Sequence, residues 1–272
     1  MSDTHSTVDP SDGPTYVRFV ALGDSFTEGV GDHDPTRPNG CRGWADRVAE
    51  VLAARADQAG CDFGYANLAI RGRKLRGIIA EQLEPALALE PDLVTLYAGA
   101  NDILRPRVDL DALVGAYADA VGRLAATGAR VVLFTAFDPG GSRLYRPIRG
   151  RFALYNELVR EVADTHGATL VDFWRIRDHK DWRLWDVDRM HMSALGHQRV
   201  AIEVLDVLGV PHDLKPVRLL ETARPPRPEQ LRSDAGWARD PLAPWVHRRL
   251  TGRSSGDTVS ARHPGYGRPG GV

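Results

Sequence analysis

The sequence predicts an α/β fold with a parallel sheet covered by helices on both faces. Three observations lead there. Short apolar runs recur along the chain, and most are followed by a stretch with helical hydrophobic spacing. Three of the runs stop at polar, glycine-containing turns, Gly23-Asp24-Ser25, Arg71-Gly72-Arg73 and Gly99-Ala100-Asn101-Asp102. Open α/β sheets place their active sites at such carboxyl ends of strands. The length of 272 residues, with 43% hydrophobic and 26% charged residues, suits one α/β domain with a large core, or two small domains.

The elements follow in order. Residues 1–15 are polar and acidic and read as a mobile leader. Residues 17–22 form the first apolar run and end at Ser25. Residues 44–59 carry Trp44, Val48, Val51 and Leu52 at helical spacing, and 65–70 make a second short strand. Helical periodicity returns over 75–89 with Leu75, Ile78, Ile79, Leu83 and Leu87, before a third strand over 92–98. Residues 110–127 are helical and stop at Gly128, a C-cap signal. A β-branched fourth strand spans 130–136, a helix 152–166 ends at Gly167, and a fifth strand spans 169–173. The last helix, 193–208, has Ser193 as its N-cap. The domain is expected over residues 16–212. Residues 213–272 read as a Pro/Arg-rich arm that docks apolar side chains on the domain and ends in disorder. Its segment 237–250 sets Trp237 and Trp245 among basic residues, which alternatively suits a partner surface.

A formal net charge of -1 gives no global reason to expect nucleic acid or an acidic membrane surface as a partner. The N-terminal segment lacks signal-peptide character and no apolar run is long enough to span a bilayer, so a soluble cytoplasmic protein is expected. Cys41 and Cys61 lack metal-ligand spacing and read as reduced thiols; neither metal nor cofactor is expected.

Ser25 is a candidate nucleophile. A serine hydroxyl needs a base within hydrogen-bond reach and donors for the charge that develops on the attacked carbonyl oxygen. His191 is the candidate base. Asp188 lies three residues earlier, a spacing that lets its carboxylate reach Nδ1 and fix the tautomer. The backbone N–H groups of Ser25 and Gly72 and the side-chain amide of Asn101 are candidate oxyanion donors. Singly, Gly72 and Asn101 are ordinary turn residues; one parallel sheet would bring all three to a common rim.

Gly23-Asp24-Ser25, Asn67 to Gly72, Gly99-Ala100-Asn101-Asp102 and Asp188 to His191 resemble, in order and spacing, the four blocks of the SGNH hydrolases, the GDSL-type esterases and lipases. The resemblance covers about residues 17–208. It implies a flavodoxin-like, three-layer α/β/α sandwich with a five-stranded parallel sheet. It also implies Ser25 as nucleophile, His191 as base oriented by Asp188, Ser25, Gly72 and Asn101 as the oxyanion hole, and Asp24 and Asp102 as supporting acids. The expected activity is a metal-independent serine esterase acting on small-molecule esters through an acyl-enzyme. Carbohydrate deacetylase, thioesterase and transacylase activities fit the same blocks, and a binding role for the arm is the alternative of another class. Arg71, Arg73 and Lys74 flank Gly72 and suggest either an anionic substrate group or a solvated helix start.

Overall fold

The computed structural model describes residues 13–105, 107–142, 145–219, 226–251 and 253–270. Most of the expected leader lies outside the described residues.

β1 (Arg18–Leu22) alternates strictly: Phe19 and Ala21 face one core layer, Val20 and Leu22 the other. It ends at α1 (Ser25–Glu28), whose N-cap Asp24 accepts from Phe26 N–H. α2 (Trp44–Gln58) begins where the Asp46 carboxylate accepts from Gly43 N–H at 2.9 Å. β2 (Gly64–Asn67) is shorter than the apolar run; Leu68 and Ile70 continue beside β1, donating to the carbonyls of Ala21 and Gly23.

The continuous helix expected over 75–89 is instead α3 (Leu75–Ile78), a π turn over Ile79–Leu83, and α4 (Glu84–Ala88). Pro85 has no N–H to give the preceding turn, and widening that turn accommodates the ring. β3 (Leu93–Leu96) leads into α5 (Ala100–Ile103); α6 (Leu110–Ala125) is capped by Asp109 and precedes β4 (Arg130–Phe134). α7 (Arg149–His166) starts one turn earlier than the periodicity suggests and stops at Gly167, whose φ of 63° suits glycine. β5 (Thr169–Val171) is followed by irregular turns and by α8 (Ala194–Leu208), with Ser193 as its N-cap.

β1 to β5 are parallel, in the order β5-β4-β3-β1-β2. α2 and α8 cover one face through Trp44, Val48, Val200 and Val204; α3, α4, α6 and α7 cover the other through Ile78, Tyr117, Phe152 and Val159. Strand order reverses beside β1, so the turns after β1 and β3 flank the crevice where open sheets bind ligands.

The five-stranded expectation needs correcting, because the sheet has six strands. After α9 (Arg227–Trp237), a π turn and α10 (Ala243–Leu250), the chain returns as β6 (His263–Gly267) and pairs antiparallel with β2. The ladder shifts register between Tyr65 and Asn67. Beside β6, the fully buried Arg262 side chain pairs with the fully buried Asp46 carboxylate at 2.8 and 3.0 Å and donates to the carbonyls of Glu28 and Pro38. The far end of the arm is thus anchored in the domain.

Removing one partner of a buried pair strands the other charge. Arg262→Ala is therefore expected to lower unfolding free energy by about 3–5 kcal/mol, read by chemical denaturation. A second expectation concerns pH. His197 is buried, accepts from Trp44 N–H at 3.3 Å through Nδ1 and bonds Val30 O through Nε2. Burial pushes its pKa down from 6.5 to about 3. The unfolded chain then binds the extra proton, so this contribution is fully present above pH 6.5 and is lost as pH falls towards 3. His197→Gln should flatten the stability profile in that window, measured by denaturant midpoint against pH.

Candidate active site

The site assembles at the carboxyl edge of the sheet. Ser25 opens α1, so its backbone N–H precedes any intrahelical bond and has no hydrogen-bond partner among the described residues. The preceding turn is gripped from below: Gln82 accepts from Gly23 N–H at 2.8 Å and donates to Gly23 O at 2.9 Å. Gln82 sits in the π turn before Pro85, and sequence periodicity gave no sign of this use.

Asp24 is 3% exposed and accepts from Phe26 N–H at 3.0 Å and Asn101 Nδ2 at 2.9 Å. Burial, opposed by the Phe26 hydrogen bond and the charge of His191, leaves its carboxyl raised to about 7. The other amide hydrogen of Asn101 goes to Arg73 O at 3.1 Å. Two oxygen acceptors on one side fix the orientation of this amide. Asp102 faces away from the cavity and accepts from Leu75 N–H at 3.0 Å, securing the start of α3. The two acids thus bind the turns after β1, β2 and β3 to one another.

Gly72 has a φ of 75°, a conformation glycine adopts without strain, and its N–H has no hydrogen-bond partner among the described residues. A Cβ there would collide with Ser254 Oγ, which belongs to the arm. The adjacent Arg71 is held by the fully buried Glu28, which accepts from Arg71 N–H at 2.6 Å and from its guanidinium at 2.6 to 3.0 Å. Arg73 pairs with Glu81 at 2.8 Å. Of the three cations expected near Gly72, Arg71 and Arg73 are therefore committed to carboxylates, and Lys74 alone lines the cavity.

Asp188 and His191 meet as their spacing suggests. His191 Nδ1 lies 2.5 Å from Asp188 Oδ2, while Asp188 Oδ1 accepts from the N–H groups of Met190 and His191 at 2.8 and 2.9 Å. Burial pushes the Asp188 carboxyl up, but the His191 hydrogen bond and charge, with both backbone donors, bring it down to about 2. A carboxylate on Nδ1 selects the tautomer that leaves Nε2 free to accept a proton.

The arm secures this loop in a way the sequence did not reveal. Trp237 Nε1 donates to Asp188 O at 2.7 Å. Arg189, at a φ of 56°, stacks 5.2 Å from the Trp237 ring and pairs with Asp234 at 2.6 Å. Trp237 and Trp245 thus turn towards the domain. Of the tryptophans before Asp188, Trp185 lines the cavity, Trp174 lies under Arg149 and Trp182 is 71% exposed.

Ser25, Gly72, Asn101, Asp188 and His191 line one cavity of about 360 Å³. Tyr97, Phe137, Phe173 and Trp185 supply apolar walls, and Trp245, Arg248, Arg253 and Ser254 of the arm complete it. The binding alternative drawn from the arm thus meets a segment that forms part of the cavity wall.

The sheet order and the cavity's place at the strand ends define a flavodoxin-like α/β protein with its site at the carboxyl edge of the sheet. The chain belongs to the GDSL-like lipase/acylhydrolase family, whose family model matches residues 21–199, and it is a hydrolase acting on ester bonds. Among solved structures it is similar to LAE5, an alpha/beta hydrolase enzyme from the metagenome of Lake Arreo, Spain, at 26% identity and a TM-score of 0.59, covering 71% of this chain and 95% of that one. It shares its fold with Axe2, an acetylxylan esterase from Geobacillus stearothermophilus, at 23% identity and a TM-score of 0.60, covering 74% and 97%. No curated protein matches the chain. Among the described residues, no helix is long and apolar enough to cross a membrane.

The charges around Asp24 give a direct expectation. Its carboxyl should titrate near pH 7 by carbon-13 NMR. Asp102 adds negative potential that raises this value, so Asp102→Asn should move the midpoint down. An unchanged midpoint would mean that the two acids are not electrostatically coupled.

Proposed function

We propose that the protein is a serine esterase that hydrolyses carboxylic esters through an acyl-enzyme on Ser25. The observation that carries this reading is the Asp188–His191 pair at 2.5 Å, lining the same cavity as Ser25 and two backbone N–H groups without a partner among the described residues. In this scheme the Ser25 hydroxyl attacks the ester carbonyl and its proton passes to His191 Nε2. Asp188 holds the ring and stabilises the imidazolium. The Ser25 and Gly72 N–H groups receive the oxyanion. Asn101 joins them when its planar amide turns as a whole, giving up its bonds to Arg73 O and Asp24 for one to the oxyanion, whose charge makes it the stronger acceptor. Protonated His191 returns its proton to the departing alkoxide. The same nitrogen then activates the water that releases the acid.

Axe2 adds indirect support: its catalytic mutants replace a serine, a histidine and an aspartate, the last three positions ahead of the histidine. Asp188 and His191 have the same spacing. The same neighbour favours a second reading, removal of acetyl groups from a carbohydrate, in which the aromatic walls at Trp185 and Phe137 would stack on sugar rings.

A fluorophosphonate probe followed by peptide mapping tests the nucleophile. The expected adduct is on Ser25 and is absent in Ser25→Ala. His191→Ala should lower kcat by about 10³-fold or more, with little change in thermal stability. An adduct elsewhere, or none on folded protein, would rule out the acyl-enzyme scheme.

A further inference from the structure

We propose that the cavity contains an anion subsite made by Lys74, Arg105, Arg248 and Arg253, so that the preferred ester carries a carboxylate or phosphate. The proposal rests on the ester-hydrolase reading and adds a substrate class to it. All four cations line the cavity that holds Ser25 and His191, and among the described residues none has an ion-pair partner. This differs from the neighbouring cations Arg71, Arg73 and Arg189, each paired with a carboxylate.

Among the described residues, no lining carboxylate is free to balance the four. Asp188 is paired with His191 at 2.5 Å, and Asp240 with Arg239 at 2.7 Å. Asp24 is buried and accepts from Phe26 and Asn101. Asp102 lies near enough to feel Lys74 and Arg105, but its hydrogen bond comes from Leu75 N–H. Arg105 Nε is buried without a hydrogen-bond partner, a donor left unused by the protein itself.

The cations come from two sides. Lys74 and Arg105 follow the turns after β2 and β3, whereas Arg248 and Arg253 come from α10 and the turn after it. A guanidinium presents a planar fork that binds carboxylate or phosphate oxygens in pairs, and a walled cavity strengthens that attraction. The arm thereby adds a selecting group to a cavity whose Ser25, Gly72, Asn101, Asp188 and His191 all lie within the family-matched residues 21–199.

Two matched ester pairs test this on the full chain. One is 4-nitrophenyl hexanoate against mono(4-nitrophenyl) adipate, with the charge on the acyl side. The other is phenyl acetate against 4-acetoxyphenyl phosphate, with the charge on the alcohol side. In at least one pair the anionic ester should show a kcat/KM about tenfold higher at low salt, an advantage that shrinks at high salt. Arg248→Ala with Arg253→Ala should cut that ratio about fivefold or more, and the two Lys replacements should restore part of it. Because the readout is a ratio, a general loss of activity does not imitate the effect. A ratio of one in both pairs, or one unchanged in the double Ala variant, overturns the proposal. If no ester turns over, calorimetry with adipate and phenyl phosphate decides separately. Binding to the wild type that is lost in the double variant upholds the subsite and places the failure in the esterase reading. Absence of binding to the wild type overturns the subsite.

Discussion

The rim of the sheet is organised by the need to satisfy buried carboxylates. Asp24, Glu28 and Asp46 lie in the segment that follows β1, and all three are buried. A buried acid without partners is costly, so each draws in a different part of the chain. Asp24 takes Asn101 from the turn after β3, Glu28 takes Arg71 from the turn after β2, and Asp46 takes Arg262 from the C-terminal arm. These pairings turn four separated segments into one wall around Ser25.

The same constraint explains how small backbone groups acquire fixed positions. The Gly72 N–H lies on a turn with no side chain of its own to hold it. The neighbouring Arg71 holds it instead, through backbone and guanidinium bonds to Glu28. The Ser25 N–H is set by α1, by the Asp24 cap and by the Gln82 grip on Gly23. Donors held in this way need not reorient when negative charge develops beside them.

The arm links fold to site. β6 covers the edge of β2, a position where an open strand would otherwise expose unpaired backbone groups. Arg262 fixes its far end, and Trp237 with Arg189 fixes its near end to the loop that carries Asp188 and His191. Between these anchors lie α10 and the turn at Ser254, which form one wall of the cavity. Edge protection, loop positioning and cavity shape therefore depend on one segment beyond the matched family region.

The sequence by itself determined the parallel core and picked out residues that the fold brings to one cavity. The apolar run that ends at Leu22, the helical spacing of Trp44, Val48 and Leu52, and the capping at Ser193 are local signals, carried by residues a few positions apart. The Asp188–His191 contact was legible for the same reason, since three residues of separation fit within one turn. Tertiary structure decided what local spacing cannot encode. The segment His263–Gly267 holds a proline and two glycines and has poor strand character. It becomes β6 because the β2 edge and the Asp46 pocket receive it from about two hundred residues away in sequence. The same holds for the charges beside Gly72. Their clustering was visible in the sequence, but only the folded chain could show that Glu28 and Glu81 occupy Arg71 and Arg73 and leave Lys74 to the cavity. Ion pairs between distant segments form when the backbone brings them together, and no periodicity announces them.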